Sequence, residues 1–218
     1  MTLLNIKHLT AVFFWILILI SCKGRKNSTD YFTGTVAYAY AYESSLLNID
    51  SLIKERPVKA FFRYDSINYL SRFFGLDTVT YYYSGKMNKA LSQINSLDSF
   101  TCEDYGLPTD SIISWKLYPS NEKLLNQECN ILEIQKKNSW VKYYVSKKPR
   151  IAPGTYLIHK SYNMDLYGLK ADGGLILKLE HRFKYFTMKG LAIEICEKDK
   201  QFKAFEIADT IFNYHCKK

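Results

Sequence analysis

The chain has 218 residues, 47% hydrophobic and 16% aromatic, with 30 Lys and Arg against 21 Asp and Glu, for a net charge of +9. That apolar content supports one domain with a real core and excludes a disordered chain. The basic residues are spread without a recognisable nucleic-acid-binding motif, which argues against nucleic acid as a partner and for a solvated basic face or attraction to anionic headgroups.

The N-terminus has the three parts of an export signal: Lys7 and His8, an apolar run at 11–20, and a small residue, Ser21, before Cys22. A bilayer-spanning helix needs about 20 apolar residues; this run has about half that before Ser21, Cys22, Lys23, Arg25 and Lys26 interrupt it. The tetrad Leu19-Ile20-Ser21-Cys22 resembles the bacterial lipobox, in which the cysteine thiol takes a diacylglycerol, the signal is cut before it and the new amino group is acylated. The resemblance implies a signal peptide at 1–22 and palmitate-like acyl chains on Cys22, an effectively permanent membrane anchor. The alternatives are an ordinary secretory signal with a coincidental cysteine and a short amphipathic anchor. Sorting of such lipoproteins often turns on acidic residues after the cysteine, and residues 23–26 are Lys-Gly-Arg-Lys. The expected address is therefore the outer membrane, facing the periplasm. Residues 23–30 read as a flexible tether, 31–213 as a single β-rich domain and 214–218 as a tail.

The domain opens with "TGTVAYAYAYES", which alternates strictly: Val36, Tyr38, Tyr40 and Tyr42 on one face, Thr35, Ala37, Ala39 and Ala41 on the other. A face of small residues invites close packing, and the next segment, "SSLLNIDSLIKERP", reads as the helix to supply it. Leu46, Leu47, Ile49, Leu52 and Ile53 form a stripe, Ser44 or Ser45 can cap it, and Pro57 turns Arg56 out of helix. Strands are predicted at 60–64, 67–73, 78–83, 89–94, 112–117, 130–136 and 140–146, with turns at Ser84-Gly85 and Lys137-Asn138. Their short connections favour antiparallel meanders. Residues 149–173 break the rhythm and read as a long loop, of the kind that forms lids or binding loops, with one short helix around 162–167. A hairpin closes the domain, with Leu175, Leu177 and Leu179 on one face; 202–211 is ambiguous between strand and helix.

With Cys22 lipidated, Cys102, Cys129, Cys196 and Cys216 remain, allowing disulfides in an oxidising compartment in three connectivities that the sequence does not rank, or buried thiols. His8, His159, His181 and His215 are scattered, so neither a metal nor another cofactor is expected. Glu103, Asp104 and Asp110 flank "YGLPTD", where a surface turn explains them better than acid–base chemistry. With no Gly-x-Ser-x-Gly, H-E-x-x-H or phosphate loop, the chain does not read as an enzyme. Asp-Ser/Thr before an aliphatic residue recurs at Ser51, Ser66, Thr78, Ser111 and Thr210. The tripeptide resembles one read by envelope O-glycosylation systems, and it is equally how a turn hands over to a strand.

Residues 173–180, Gly-Gly-Leu-Ile-Leu-Lys-Leu-Glu, resemble the end of the signature of the GLPGLI family of exported bacterial proteins, with Lys170-Ala171-Asp172-Gly173 where that family has Gly-Leu-Pro-Gly. "NQECNILEIQ" resembles the family's cysteine-bearing strand and "YYYSGKMNKA" its early hairpin. The resemblance, with that to LolA/LolB-like carriers, implies a mainly β fold: a strongly curved antiparallel sheet or open half-barrel with one or two packed helices, cupped around helices or an apolar ligand. The expected function is a lipid-anchored periplasmic binding protein whose tyrosines (Tyr38, Tyr40, Tyr42, Tyr81 and Tyr83) line a groove for a lipid, lipoprotein or other amphipathic molecule. The same rings could fill a core instead, and the alternative function is an assembly lipoprotein holding an envelope protein through a sheet edge or the 149–173 loop.

Overall fold

The computed structural model describes residues 31–65, 67–95, 99–198 and 209–216. Eleven strands form one antiparallel sheet. The first meander comprises β1 (Gly34–Glu43), β2 (Lys59–Asp65), β3 (Asn68–Phe74), β4 (Thr78–Ser84), β5 (Lys89–Ile94) and β6 (Thr101–Asp104). The second comprises β7 (Ile112–Leu124), β8 (Gln127–Lys136), β9 (Trp140–Arg150), β10 (Gly174–Arg182) and β11 (Thr187–Glu197). The order is β6-β5-β4-β3-β2-β1-β11-β10-β9-β8-β7, so the first and last strands pair at the centre and β6 and β7 are the two edges.

That order forces curvature. Laid flat, eleven strands would put β6 and β7 about 48 Å apart at about 4.8 Å per strand, yet the connector from Asp104 to Ile112 spans at most about 29 Å when fully extended. The sheet therefore bends into an open bowl, and its concave face must fill the enclosed volume with side chains. The large alternating residues meet that demand: Val36, Tyr38 and Tyr42 are buried, while Ala37 and Ala39 on the convex face are half-buried and Ala41 is exposed.

The helix expected behind the small-residue face does not cover it. Helix α1 (Ile49–Glu55) is shorter than the stripe predicts and starts at Asn48, whose Oδ1 accepts the Ser51 N–H at 3.0 Å. Ser44, expected as a cap, instead closes the preceding turn, accepting the N–H groups of Leu46 and Leu47. Leu46, Leu47 and Ile53 are exposed, and only Leu52 is buried. Seven residues with one buried contact make a rim element and not a packing layer.

Residues 151–173 correct a second expectation. They hold two 3-10 turns, Pro153–Thr155 and Ser161–Asn163, and helix α2 (Met164–Lys170), but they form no free lid. Ile151, Thr155, Tyr156, His159, Ser161 and Asn163 are all buried, and the segment plugs one end of the bowl. The Tyr105 carbonyl, on the connector between the two edges, accepts the N–H groups of Lys160 and Ser161 at 2.7 and 3.1 Å. Chain exit from α2 uses left-handed backbone at Asp172 (φ 52°) and Gly173 (φ 67°), so the Asp-Gly-Gly run ends a helix and starts β10.

Helix α3 (Asp209–His215) docks elsewhere: Phe212 and Cys216 pack with Leu91, and Cys216 is disulfide-bonded to Cys102 on edge strand β6, 114 residues away. The described chain thus continues past residue 213, the end of the expected domain, into the segment read as a tail.

Candidate functional site

Alternation places one residue in two of β2, β3 and β4 on the concave face. Register then stacks them in rows: Tyr64, Tyr69 and Tyr83 nearest the plug, Phe62, Ser71 and Tyr81 next, and Ala60, Phe73 and Val79 above them. On β1, Tyr38 pairs with Ala60, and Tyr40 lies one step further out. The Tyr40 ring has room because its partner on β11 is Gly190, where a Cβ would come within 2.8 Å of the ring.

These rows bound a cavity of about 540 Å³, within the range of small-molecule sites. Its inner end is closed by Tyr156, His159 and Tyr167, each no more than 3% exposed. Its mouth lies between the C-terminus of α1 and the β3–β4 turn, at Glu55, Pro57, Gly75, Leu76 (79% exposed) and Asp77. From Tyr69 to Gly75 is about 20 Å of extended strand. Met164 on α2, Tyr143 on β9 and Ile176 and Leu179 on β10 complete the wall.

Hydroxyls hold the rings in place. Tyr38 donates to the Ile176 carbonyl at 2.7 Å, and Tyr167 donates to the Gly174 carbonyl. Tyr69 stacks on Tyr83 with centroids 4.7 Å apart, and its hydroxyl lies 3.1 Å from His159 Nε2. Burial pushes the phenols of Tyr38, Tyr69, Tyr156 and Tyr167 well above their ordinary value, and lowers His159 to about 4. The wall is therefore neutral at physiological pH, and among the described residues the only Asp, Glu, Lys or Arg lining the cavity are Glu55 and Asp77 at its mouth. His159 Nδ1 and Asn163 Oδ1 are buried without hydrogen-bond partners.

Of the five tyrosines singled out in the sequence, Tyr38, Tyr40 and Tyr81 line this cavity. Tyr42 and Tyr83 do not. Tyr42 sits beyond the mouth, donating to the Pro57 carbonyl at 2.7 Å, with its phenol raised to about 12 by burial. Tyr83 is fully buried in the core, its hydroxyl between the Thr155 carbonyl and Asn88 Oδ1. Phe62, Tyr64, Tyr69 and Phe73 were missed, although the same period of two in "AFFRYD" and "NYLSRFF" places them on this face. Tyr156, His159 and Tyr167 come from a segment with no periodicity to read.

Among the cysteines, Cys102 and Cys216 are bonded to each other, Cys196, buried near the end of β11, is disulfide-bonded as well, and Cys129 is a buried free thiol whose pKa is raised by burial. Thr78 is half-buried at the first position of β4, its N–H donating to Asn95 Oδ1, and Ser111 is exposed just before β7. Both stand where a turn meets a strand. Cys22, Ser66 and the Thr210 side chain lie outside the described residues. Among the described residues no cluster of His, Cys, Asp or Glu could hold a metal ion, and no helix is long and apolar enough to cross a membrane.

The fold and site define an open antiparallel β-bowl with an aromatic cavity. No family model and no curated protein matches the chain. Two solved structures of PNGF-II are distantly similar: one in space group C2, with a TM-score of 0.45 and 12% identity over 84% of this chain and 30% of that one; one in space group P21, with 0.43 and 13% over 85% and 34%. The chain thus spans about a third of the length of these PNGF-II chains.

Proposed function

We propose that this chain is a lipid-anchored binding protein of the bacterial cell envelope, fixed by Cys22 to the periplasmic face of the outer membrane, and that it holds an apolar or amphipathic molecule in the concave cavity. The cavity itself supports this reading most directly: about 540 Å³ walled by aromatic rings and open at one end. Interiors normally close to crystal-like density, so a space of this size on the apolar face of a sheet calls for an occupant. Tyrosine suits the role, giving apolar area with a polar tip.

The test is mass spectrometry of solvent extracts of residues 23–218, purified from the native periplasm as a soluble form. A stoichiometric lipid that is lost on Tyr40→Glu supports the reading. An empty extract from folded protein contradicts it. Radiolabelled palmitate should enter the full chain and fail to enter Cys22→Ala.

A second reading, an assembly lipoprotein gripping an envelope protein, is favoured by edge strand β7. It is 13 residues long, and it exposes Ile113 (66%), Trp115 (42%) and Leu117. A free edge of this kind is a template for strand addition. Crosslinking from position 113 in cells would identify such a partner.

A further inference from the structure

The charges around the cavity run against the charge of the chain. Lys and Arg outnumber Asp and Glu by 30 to 21, yet the two charged residues lining the cavity, Glu55 and Asp77, are both acidic. Both are exposed, and no ion pair found among the described residues uses either. The nearest arginine in sequence, Arg56, lies over Phe186, its guanidinium 5.0 Å from the ring centroid, on the Tyr42 side of the mouth, and does not line the cavity. Burial first, and then the nearby carboxylate of Glu103, which does not itself line the cavity, raise the phenol pKa values of Tyr81, Tyr105 and Tyr162. Inside the mouth the wall is aromatic, and a ring attracts a cation wherever it presents its face, the negative side of its quadrupole. An anionic head would meet carboxylates and ring faces of its own sign. A cationic head would meet complementary groups.

A second observation points to an occupant at the other end. His159 lines the closed end and is 1% exposed; backbone groups of His159 and Ser161 approach its ring, but its Nδ1 makes no well-formed hydrogen bond among the described residues. Buried polar atoms are nearly always satisfied, so a chain that also carried a polar atom at its inner end would be held further.

We propose that the ligand is an amphiphile with a positively charged amine head, seated with its chain in the cavity and its head at the mouth between Glu55 and Asp77. The inference rests on the cavity being a binding site, as proposed above, and adds the sign of the head group.

Matched probes separate the two. On residues 23–218, which include every described residue, a neutral naphthylamine dye is displaced below micellar concentrations at 0.15 M salt by dodecylamine, dodecanol and dodecanoate. Dodecylamine should act at about tenfold lower concentration than dodecanoate, the scale of one cation–π contact plus one partly screened carboxylate. The overall positive charge would bias the result the other way, so such a preference reports the mouth itself. Glu55→Gln with Asp77→Asn should shrink the preference to the share left by the rings alone and leave dodecanol unchanged. Neither substitution threatens the fold, since both sites are exposed and Asn keeps an oxygen to accept the Asn95 amide that Asp77 now takes at 2.6 Å. Dodecanoate binding as well as dodecylamine, or a preference undiminished by the double substitution, overturns the charge assignment and leaves the cavity reading standing. No binding of dye or any probe to folded protein overturns both.

Discussion

On the β8–β10 side of the bowl, Leu132, Ile134, Val141 and Leu177 are all fully buried, and none of them lines the cavity. On the β1–β4 side, the same concave face carries Tyr38, Tyr40, Phe62, Phe73 and Tyr81, and there the space of about 540 Å³ remains. One sheet with one curvature thus gives two results, and side-chain chemistry makes the difference. Branched aliphatic groups have no polar atoms to satisfy and settle wherever they fit best. A buried tyrosine must keep its hydroxyl on an acceptor. Tyr38 is tied to Ile176 and Tyr167 to Gly174, so these rings are held as struts and do not collapse inward.

The sharpest way to break this contrast is to truncate the aliphatic side. Leu177→Ala should cost about 2–5 kcal/mol in urea unfolding and leave dye affinity unchanged in the folded protein. If the cost were below about 1 kcal/mol, the aliphatic half would not be the close-packed region described. Next in size is Cys216→Ser. Opening a cross-link over 114 residues should lose about 2–4 kcal/mol, and because α3 is too short to persist alone, faster amide exchange should be confined to 209–216 and β6. Exchange spreading into β1–β4 would show that the disulfide supports the cavity as well.

Acid should strain the aromatic half in particular. His159 is held neutral with its pKa lowered from 6.5 to about 4 by burial, so the unfolded chain takes up a proton before the folded one does. Its contribution is therefore fully present above pH 6.5 and is lost as pH falls toward 4, by up to about 3 kcal/mol. Half-buried His181, also lowered to about 4, acts in the same direction. His159→Phe should flatten the slope of stability against pH in that window by close to one proton; an unchanged slope would show that the imidazole is not buried neutral. The smallest effect expected is Ile53→Ala on the exposed face of α1, within about 0.5 kcal/mol of wild type.

What the sequence made legible follows the same division. Period-two alternation located most of the strands and set the tyrosines of β1 on the concave face, because a half-buried strand writes its two environments into consecutive residues. Strand β6, Thr-Cys-Glu-Asp, carried no such alternation; its pairing with β5 and the disulfide at Cys102 hold it in place. The cap of α1 fell on Asn48 and not on a serine, since the stripe of leucines that suggested an earlier start faces solvent. For the site, Tyr38, Tyr40 and Tyr81 were readable from local pattern. The closed end was not: Tyr156, His159 and Tyr167 reach the cavity only because the Tyr105 connector and the 151–173 segment are bound together across the gap between the sheet edges.

The most direct test of the cavity as a binding site is to fill it from its own wall. Ser71, 3% exposed and centred in the middle row, lines the space with a side chain small enough to leave it open. Ser71→Trp should put an indole where the ligand would lie. The account predicts a folded protein of equal or greater stability, by circular dichroism and urea titration, that no longer binds the neutral dye or retains an extractable lipid. A folded Ser71→Trp protein with undiminished binding would contradict it.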